Sequence, residues 1–155
     1  MKHQTLWVQG KMPSLNDILD ARMIVMSGKK NRAARGGKYN RIKKQVQGDV
    51  AIAAFAQKFE AFERGYFTYL FKETKNANGK QRDPSNILAG AAKMIEDALI
   101  ECKLLPNDGM DNVLGIAGHF DLTKNGAGVL LIVHPDKTLT REECLAIDMF
   151  RGDPP

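Results

Sequence analysis

The chain has 155 residues, 43% hydrophobic and 26% charged, the size and balance of one globular domain with one core. It has no apolar run near the roughly 18 residues that cross a bilayer, and Met1-Lys2-His3-Gln4 lacks the apolar stretch of a signal peptide, so a cytoplasmic protein is expected. Cys102 and Cys144 show neither CxxC spacing nor a nearby His cluster, which argues against a zinc site or disulfide framework and for reduced, partly buried thiols.

The net charge is +5, and its distribution says more than its total. Between Asp20 and Asp49 there is no acidic residue, while Lys29, Lys30, Arg32, Arg35, Lys38, Arg41, Lys43 and Lys44 fall within sixteen positions. A solvated helix face normally balances its cations with Glu or Asp at helical spacing. That balance is missing here, which points to a polyanionic partner such as nucleic acid. The pair Gly36-Gly37 suggests a mobile basic loop over about 28–37 that orders on a phosphate backbone.

In chain order, Thr5 to Gln9 reads as a short strand closed by Gly10 and Pro13. Asn16 to Met26 carries a weak helical period that an ordered loop also fits. From about Lys38 to Phe59, Tyr39, Ile42, Val46, Val50, Ala53 and Ala54 recur every three or four residues on one face of a long helix. Tyr66 to Phe71 is aromatic and β-rich and loses its pattern by Glu73. The polar segment 74–81 then leads to a helix capped by Asp83, with Pro84 in its first turn and an apolar face of Ile87, Ala91, Met94, Ile95, Ala98 and Leu99. Pro106 and Gly109 enclose its exit. Val113 to Leu122 and Gly128 to His134 are two strands joined through Asn125-Gly126, a hairpin signal. Thr140-Arg141-Glu142-Glu143 opens a final helix with a capping box. The expected order is β-α-α-β-α-β-β-α, an α/β chain of the α+β type forming one domain over 1–155.

The chemistry-bearing residues gather around the third helix. At 100° per residue, Gly90, Lys93 and Asp97 lie within about 40° of Asn86. This polar stripe borders the apolar face and begins at the turn carrying Asp83. A plain helix cap, worth about 1 kcal/mol, and an i,i+4 ion pair, worth about 0.2 to 0.5 kcal/mol, account for it if it stands alone. A second polar turn, Pro106 to Asn112, carries Asp108 and Asp111 and leads into a strand. The strand end at Glu73, the helix start at Asp83 and the turn at Asp108 can converge at one end of a sheet. Hard cations such as Mg²⁺ take oxygen ligands of this kind, and carboxylates beside a basic surface imply a phosphodiester substrate. His3, His119 and His134 are scattered, the last two expected in the hairpin. GxxxxGK[ST], GxGxxG, GxSxG and HExxH are all missing, so P-loop hydrolysis, dinucleotide redox and serine hydrolysis are not supported and no nucleotide cofactor is expected.

The string from Arg82 to Val113, RDPSNILAGAAKMIEDALIECKLLPNDGMDNV, resembles the RusA family of Holliday-junction resolvases found in phages and prophages. The family pattern is an Asp-x-Asp-Asn turn, a helix with a Lys four residues before an Asp-x-Leu, and an acid eleven residues after that helix Asp. Asp83 and Asn86 match the ends of the turn, Lys93 the lysine, Asp97-Ala98-Leu99 the marker, and Asp108 the later acid. Relative to short family members, about four extra residues separate Asn86 from Lys93, close to one helical turn. Near the amino terminus, Val8-Gln9-Gly10-Lys11-Met12-Pro13-Ser14-Leu15-Asn16 resembles the family's strand, proline, serine and asparagine signature.

The resemblance implies a homodimer with a small mixed sheet packed by helices, cutting four-way DNA in recombination and repair with Mg²⁺, for which Mn²⁺ can substitute, in a bacterial host's cytoplasm. It carries Asp83 and Asp108 over as metal-holding catalytic residues and Lys93 as a catalytic cation, with Asn86, Ser85 and Asp97 in support. Ser85 stands where the family commonly has its second Asp, and a hydroxyl is a weaker ligand than a carboxylate. Glu73 or Asp111 is then the candidate replacement, and the alternative is a junction-binding protein with weak or lost cleavage.

Overall fold

The computed structural model describes residues 2–23, 32–75 and 81–151. Its elements are β1 (Gln4–Gln9), α1 (Leu15–Met23), α2 (Arg32–Ala56), β2 (Gly65–Glu73), α3 (Pro84–Glu101), β3 (Val113–Leu122), β4 (Gly128–His134) and α4 (Arg141–Arg151). The expected order of elements holds, and the fold is a mixed α+β domain.

The sheet runs β1-β4-β2-β3. β4 is antiparallel to both β1 and β2, while β2 and β3 are parallel and connected through α3. β3 and β4 are therefore not a hairpin: β2 lies between them. Asn125-Gly126 does reverse the chain, with Gly126 at φ +96, where a side chain would be strained. The connection passes the end of β2, where the Thr123 amide donates to the Glu73 carbonyl at 2.9 Å. Turn chemistry reports a local reversal, not which strands become neighbours. Burial decides that: Gly128–Val133 is buried throughout, as a strand covered on both faces must be. β3 carries glycines, a His and an Asp among its apolar residues, and it is the strand left at the edge.

One face of the sheet presents Leu6, Val8, Phe67, Tyr69, Phe71, Val129, Leu131 and Val133 to a core completed by α1, α2 and α3. The opposite face packs Trp7, Leu70, Leu130 and Ile132 against Leu139 and Cys144 of the α4 segment. On α2 the apolar period is realised as expected, with Val46, Val50 and Ala54 buried. That helix begins earlier than expected, however. Residues 32–37 of the supposed basic loop are helical, and 28–31 lie outside the described residues. Two glycines cost roughly 1 kcal/mol each in a helix, too little to stop propagation from a long packed helix through Arg32-Ala33-Ala34-Arg35.

α3 packs closely on the start of α1. Ser14 and Asp17 form a capping box for α1: the Asp17 carboxylate accepts from the Ser14 amide at 2.8 Å and hydroxyl at 2.9 Å, and the Ser14 hydroxyl accepts from the Asp17 amide at 3.2 Å. Gly90 lies directly on this cap, and a Cβ there would come within 2.5 Å of the Ser14 carbonyl carbon. The glycine in the polar stripe thus serves close helix approach, joining the two segments that carry the family resemblance.

Candidate functional site

Asp83 caps α3. Its backbone is extended, its side chain accepts the Ser85 amide at 2.9 Å, and Pro84 follows in the first turn, where its missing N–H goes unneeded. Asp83, Pro84 and Ser85 are exposed and Asn86 is half-buried, so the turn is accessible.

Further along α3 the sequence-selected residues come together. The Lys93 ammonium pairs with Asp97 at 2.9 Å, one turn on, and with Asp108, fifteen residues later, in a direct ion pair. Lys93 is 60% exposed, so this is a surface cluster open to a ligand. The hydrogen bond from Lys93 holds the Asp108 carboxyl below its usual range, and hydrogen bonds to Asp108 and Asp97 raise the Lys93 ammonium well above its own. Two carboxylates and a fixed positive charge at one exposed point can bind a cation in place of the ammonium, or offer the ammonium to an anion if the carboxylates turn away.

Beneath it lies a residue that sequence reasoning missed. Glu96 is 5% exposed, and its carboxylate accepts the hydroxyl of the fully buried Tyr69 at 3.0 Å. Burial pushes the Glu96 carboxyl up from 4.5 to about 7, with the nearby Asp108 and Asp97 adding to the rise and the Tyr69 bond and Lys93 opposing it. Burial and the Glu96 charge likewise raise the Tyr69 hydroxyl well above its ordinary value. The available signal was a carboxylate at the rim of the α3 apolar arc with a tyrosine in the most aromatic strand.

The other expected ligands stand apart. Glu73 is held by Arg82 in a two-pronged pair, Nε to Oε2 at 3.1 Å and Nη2 to Oε1 at 2.6 Å, and does not fit as a replacement for the absent turn acid. Arg82 also donates to the Met12 carbonyl at 2.6 Å and lies 3.8 Å from Asp17, so it ties three segments together. The Asp17 carboxyl feels burial, which raises it, but its Ser14 bonds and the Arg82 charge bring it below its usual range. Asp111 is exposed in the turn beyond Asp108. Ten residues of helix separate Asp83 from Lys93, about 15 Å of rise, and Lys93 leans on Asp97 in the following turn. Asp83 and Asp108 are therefore two sites along α3, one at its start and one beside its second half. Among the described residues, no group of three or more His, Cys, Asp or Glu side chains is placed to hold a metal ion. Mg²⁺ manages with one or two carboxylates plus water and phosphate; by that measure Asp108 with Asp97 fits a hard cation.

Of the expected DNA-binding cations, Lys38, Arg41 and Lys44 are exposed on α2 and Lys43 is half-buried. Lys29 and Lys30 and the side chains of Arg32 and Arg35 lie outside the described residues. Lys38 and Arg41 border a cleft of about 600 Å³ whose floor includes Met12, Ile42 and Val46 and whose rim includes Arg82, Asp17, Asp20 and Asp49. His119 Nε2 donates to the Leu139 carbonyl, 2.7 Å away, and His134 accepts the Asp136 amide at 3.1 Å; both have structural partners. Among the described residues, no helix is long and apolar enough to cross a membrane. No family model matches the chain, and no curated protein matches it.

Proposed function

We propose that this protein is a metal-dependent endonuclease that resolves four-way DNA junctions by phosphodiester hydrolysis. The observation that carries the reading is the meeting of Lys93, Asp97 and Asp108 on an exposed face of α3, the three residues that match the lysine, the helix acid and the later acid of the family pattern. Lys38, Arg41 and Lys44 on α2 supply a cationic surface of the kind that binds a phosphate backbone without reading sequence. In this reading the protein works as a homodimer in a bacterial cytoplasm, encoded by a phage or prophage.

The residues divide into two tasks. Asp108, with Asp97 beside it, presents oxygen ligands for Mg²⁺, and Asp83 presents a second carboxylate at the open start of the helix. The metal, when bound, polarises a phosphate and acidifies water. Lys93, released from the carboxylates, neutralises charge at a phosphate oxygen. Asn86, half-buried beside Asp83, orients that turn. Wild type is expected to nick a synthetic four-way junction in Mg²⁺ or Mn²⁺, with activity lost on chelation and in Asp83→Asn and Asp108→Asn while junction binding persists. Absence of cleavage by wild type with either metal, at neutral and alkaline pH, overturns the reading.

A second reading is favoured by one specific feature: Ser85 stands in the turn where the family commonly has an acid. The protein then binds junctions without cutting them. Cleavage that appears only in Ser85→Asp supports the binder, and a wild type that already cleaves excludes it.

A further inference from the structure

Along α2, Val46, Val50 and Ala54 fill the arc that faces the core. At 100° per residue and with Lys44 as zero, Phe55 lies at about 20°, Gly48 at about 40°, Arg41 at about 60° and Ile52 at about 80°. These five residues form one stripe, exposed over its whole length and centred opposite the buried arc. Its two halves differ in chemistry. The amino-terminal half carries the cations Arg41 and Lys44, and the carboxyl-terminal half carries Ile52 and Phe55, which are 71% and 89% exposed.

Gly48 sits between the halves. A glycine costs a helix roughly 1 kcal/mol against alanine, and no atom lies within 4 Å of where its Cβ would be, so no neighbour in the fold requires it. Its missing side chain leaves a flat step between the cations and the ring, over which another surface can lie close to the helix. Asp49, the one acid in the α2 sequence, points about 100° away from Gly48 and accepts the Gln45 amide at 3.0 Å, so the stripe itself carries no negative charge.

A continuous duplex complements the cations and leaves the exposed ring without a role; an apolar protein surface complements the ring and leaves the cations without one. A nucleic acid whose base stack ends complements both, because it offers phosphates along the strand and the bare face of its last base pair. Phe and Ile are side chains that wedge against bases, and in an unbroken duplex they must first open a base step. At a branch point the continuous stack is already interrupted.

We infer that Phe55, flanked by Ile52, is an apolar wedge that packs on the end of a base stack at the branch point of the four-way junction, while Arg41 and Lys44 hold phosphates of the adjoining arm. From Lys44 to Phe55 the helix rises about 16 Å, the length of about five base pairs. The inference rests on the reading of junction DNA as the partner and not on cleavage. It assigns the preference for branched over linear DNA to α2 and leaves hydrolysis to α3.

Binding without divalent metal, to a synthetic four-way junction and to a linear duplex of the same sequence, tests this. Phe55→Ala, with an unchanged circular dichroism spectrum, is expected to weaken junction binding by about 5- to 150-fold, the range for loss of one base–aromatic stack, and to leave duplex binding unchanged. Phe55→Trp is expected to keep the junction affinity, with its indole emission quenched by the junction and not by the duplex; Trp7 is 8% exposed and supplies a constant background. That pattern supports the inference even in a wild type that never cleaves. A wild type that prefers the junction, with a Phe55→Ala that prefers it as strongly, overturns the inference while the junction reading stands. Equal quenching of Phe55→Trp by both DNAs also overturns it, as does a lower molecular mass for Phe55→Ala in light scattering, which would assign the stripe to a contact between copies. A wild type that binds junction and duplex equally fells the inference together with the junction reading.

Discussion

A carboxylic acid buried under a surface ion cluster leaves a signature in the pH dependence of stability. Glu96 titrates near 7 in the fold against an ordinary 4.5, because burial penalises its charge. Between those values the native state holds more protons than the unfolded chain, so stability is fully present below about 4.5 and falls as pH rises through 7. The shift corresponds to about 3 kcal/mol at most. In the metal-free protein, Glu96→Gln keeps an acceptor for Tyr69 and removes the titration. The variant is expected to be more stable than wild type above pH 7 and to lose the decline across the window. Urea midpoints for both proteins at the two ends of the window check this; parallel profiles would show that Glu96 ionises without cost. Neither Glu96 nor Arg82 was legible in the sequence as a key residue. Each is defined by partners the chain brings from elsewhere, Tyr69 from 27 positions away and Met12 from 70. The i,i+4 pair of Lys93 and Asp97 was legible because the helix alone creates it.

For elements, the test is whether a glycine serves the helix or its neighbour. Alanine is a better helix former than glycine by about 1 kcal/mol. Gly48, on an exposed stretch of α2, has nothing within 4 Å of where a Cβ would sit, and Gly48→Ala should gain roughly that amount. Gly90 is the opposite case, because its Cβ would lie 2.5 Å and 2.6 Å from main-chain atoms of Ser14 and Leu15, which cannot rotate away as a side chain can. Gly90→Ala is expected to destabilise by about 1 to 3 kcal/mol, the usual cost of overpacking, despite its better propensity. Equal and favourable shifts in both variants by thermal or urea unfolding would mean that α1 slides on α3 freely. Hydrophobic period made α2, α3 and their buried faces readable. Strand order was not, because the Asn-Gly reversal carries no information about β2 lying between β3 and β4. The early start of α2 was hidden by Gly36-Gly37, whose small penalty the rest of the helix outweighs.

Over the whole molecule, the net charge of +5 matters less than where the cations face. Lys38 and Arg41 flank a cleft that also holds Asp17, Asp20 and Asp49, whereas Lys44 stands on the side of α2 away from that cleft and from the core. If this surface carries a DNA backbone, each phosphate contact releases counterions, and affinity falls with salt by about 0.9 in logarithmic slope per contact. Replacing Lys38, Arg41 and Lys44 together by Ala should therefore flatten the slope for junction binding by up to about 2.7 per subunit engaged if all three touch phosphate. Weaker affinity with the slope unchanged would point instead to a folding defect or to indirect loss of the cleft. Single variants then separate the two sides of the helix. A loss confined to Lys38 and Arg41 places the duplex along the cleft between α1 and α2, next to Arg82 and the Asp83 turn; a loss confined to Lys44 places it on the outer face. Only the first arrangement brings the backbone toward the start of α3, so the salt slopes of three single variants also bear on which carboxylate, Asp83 or Asp108, meets the substrate first.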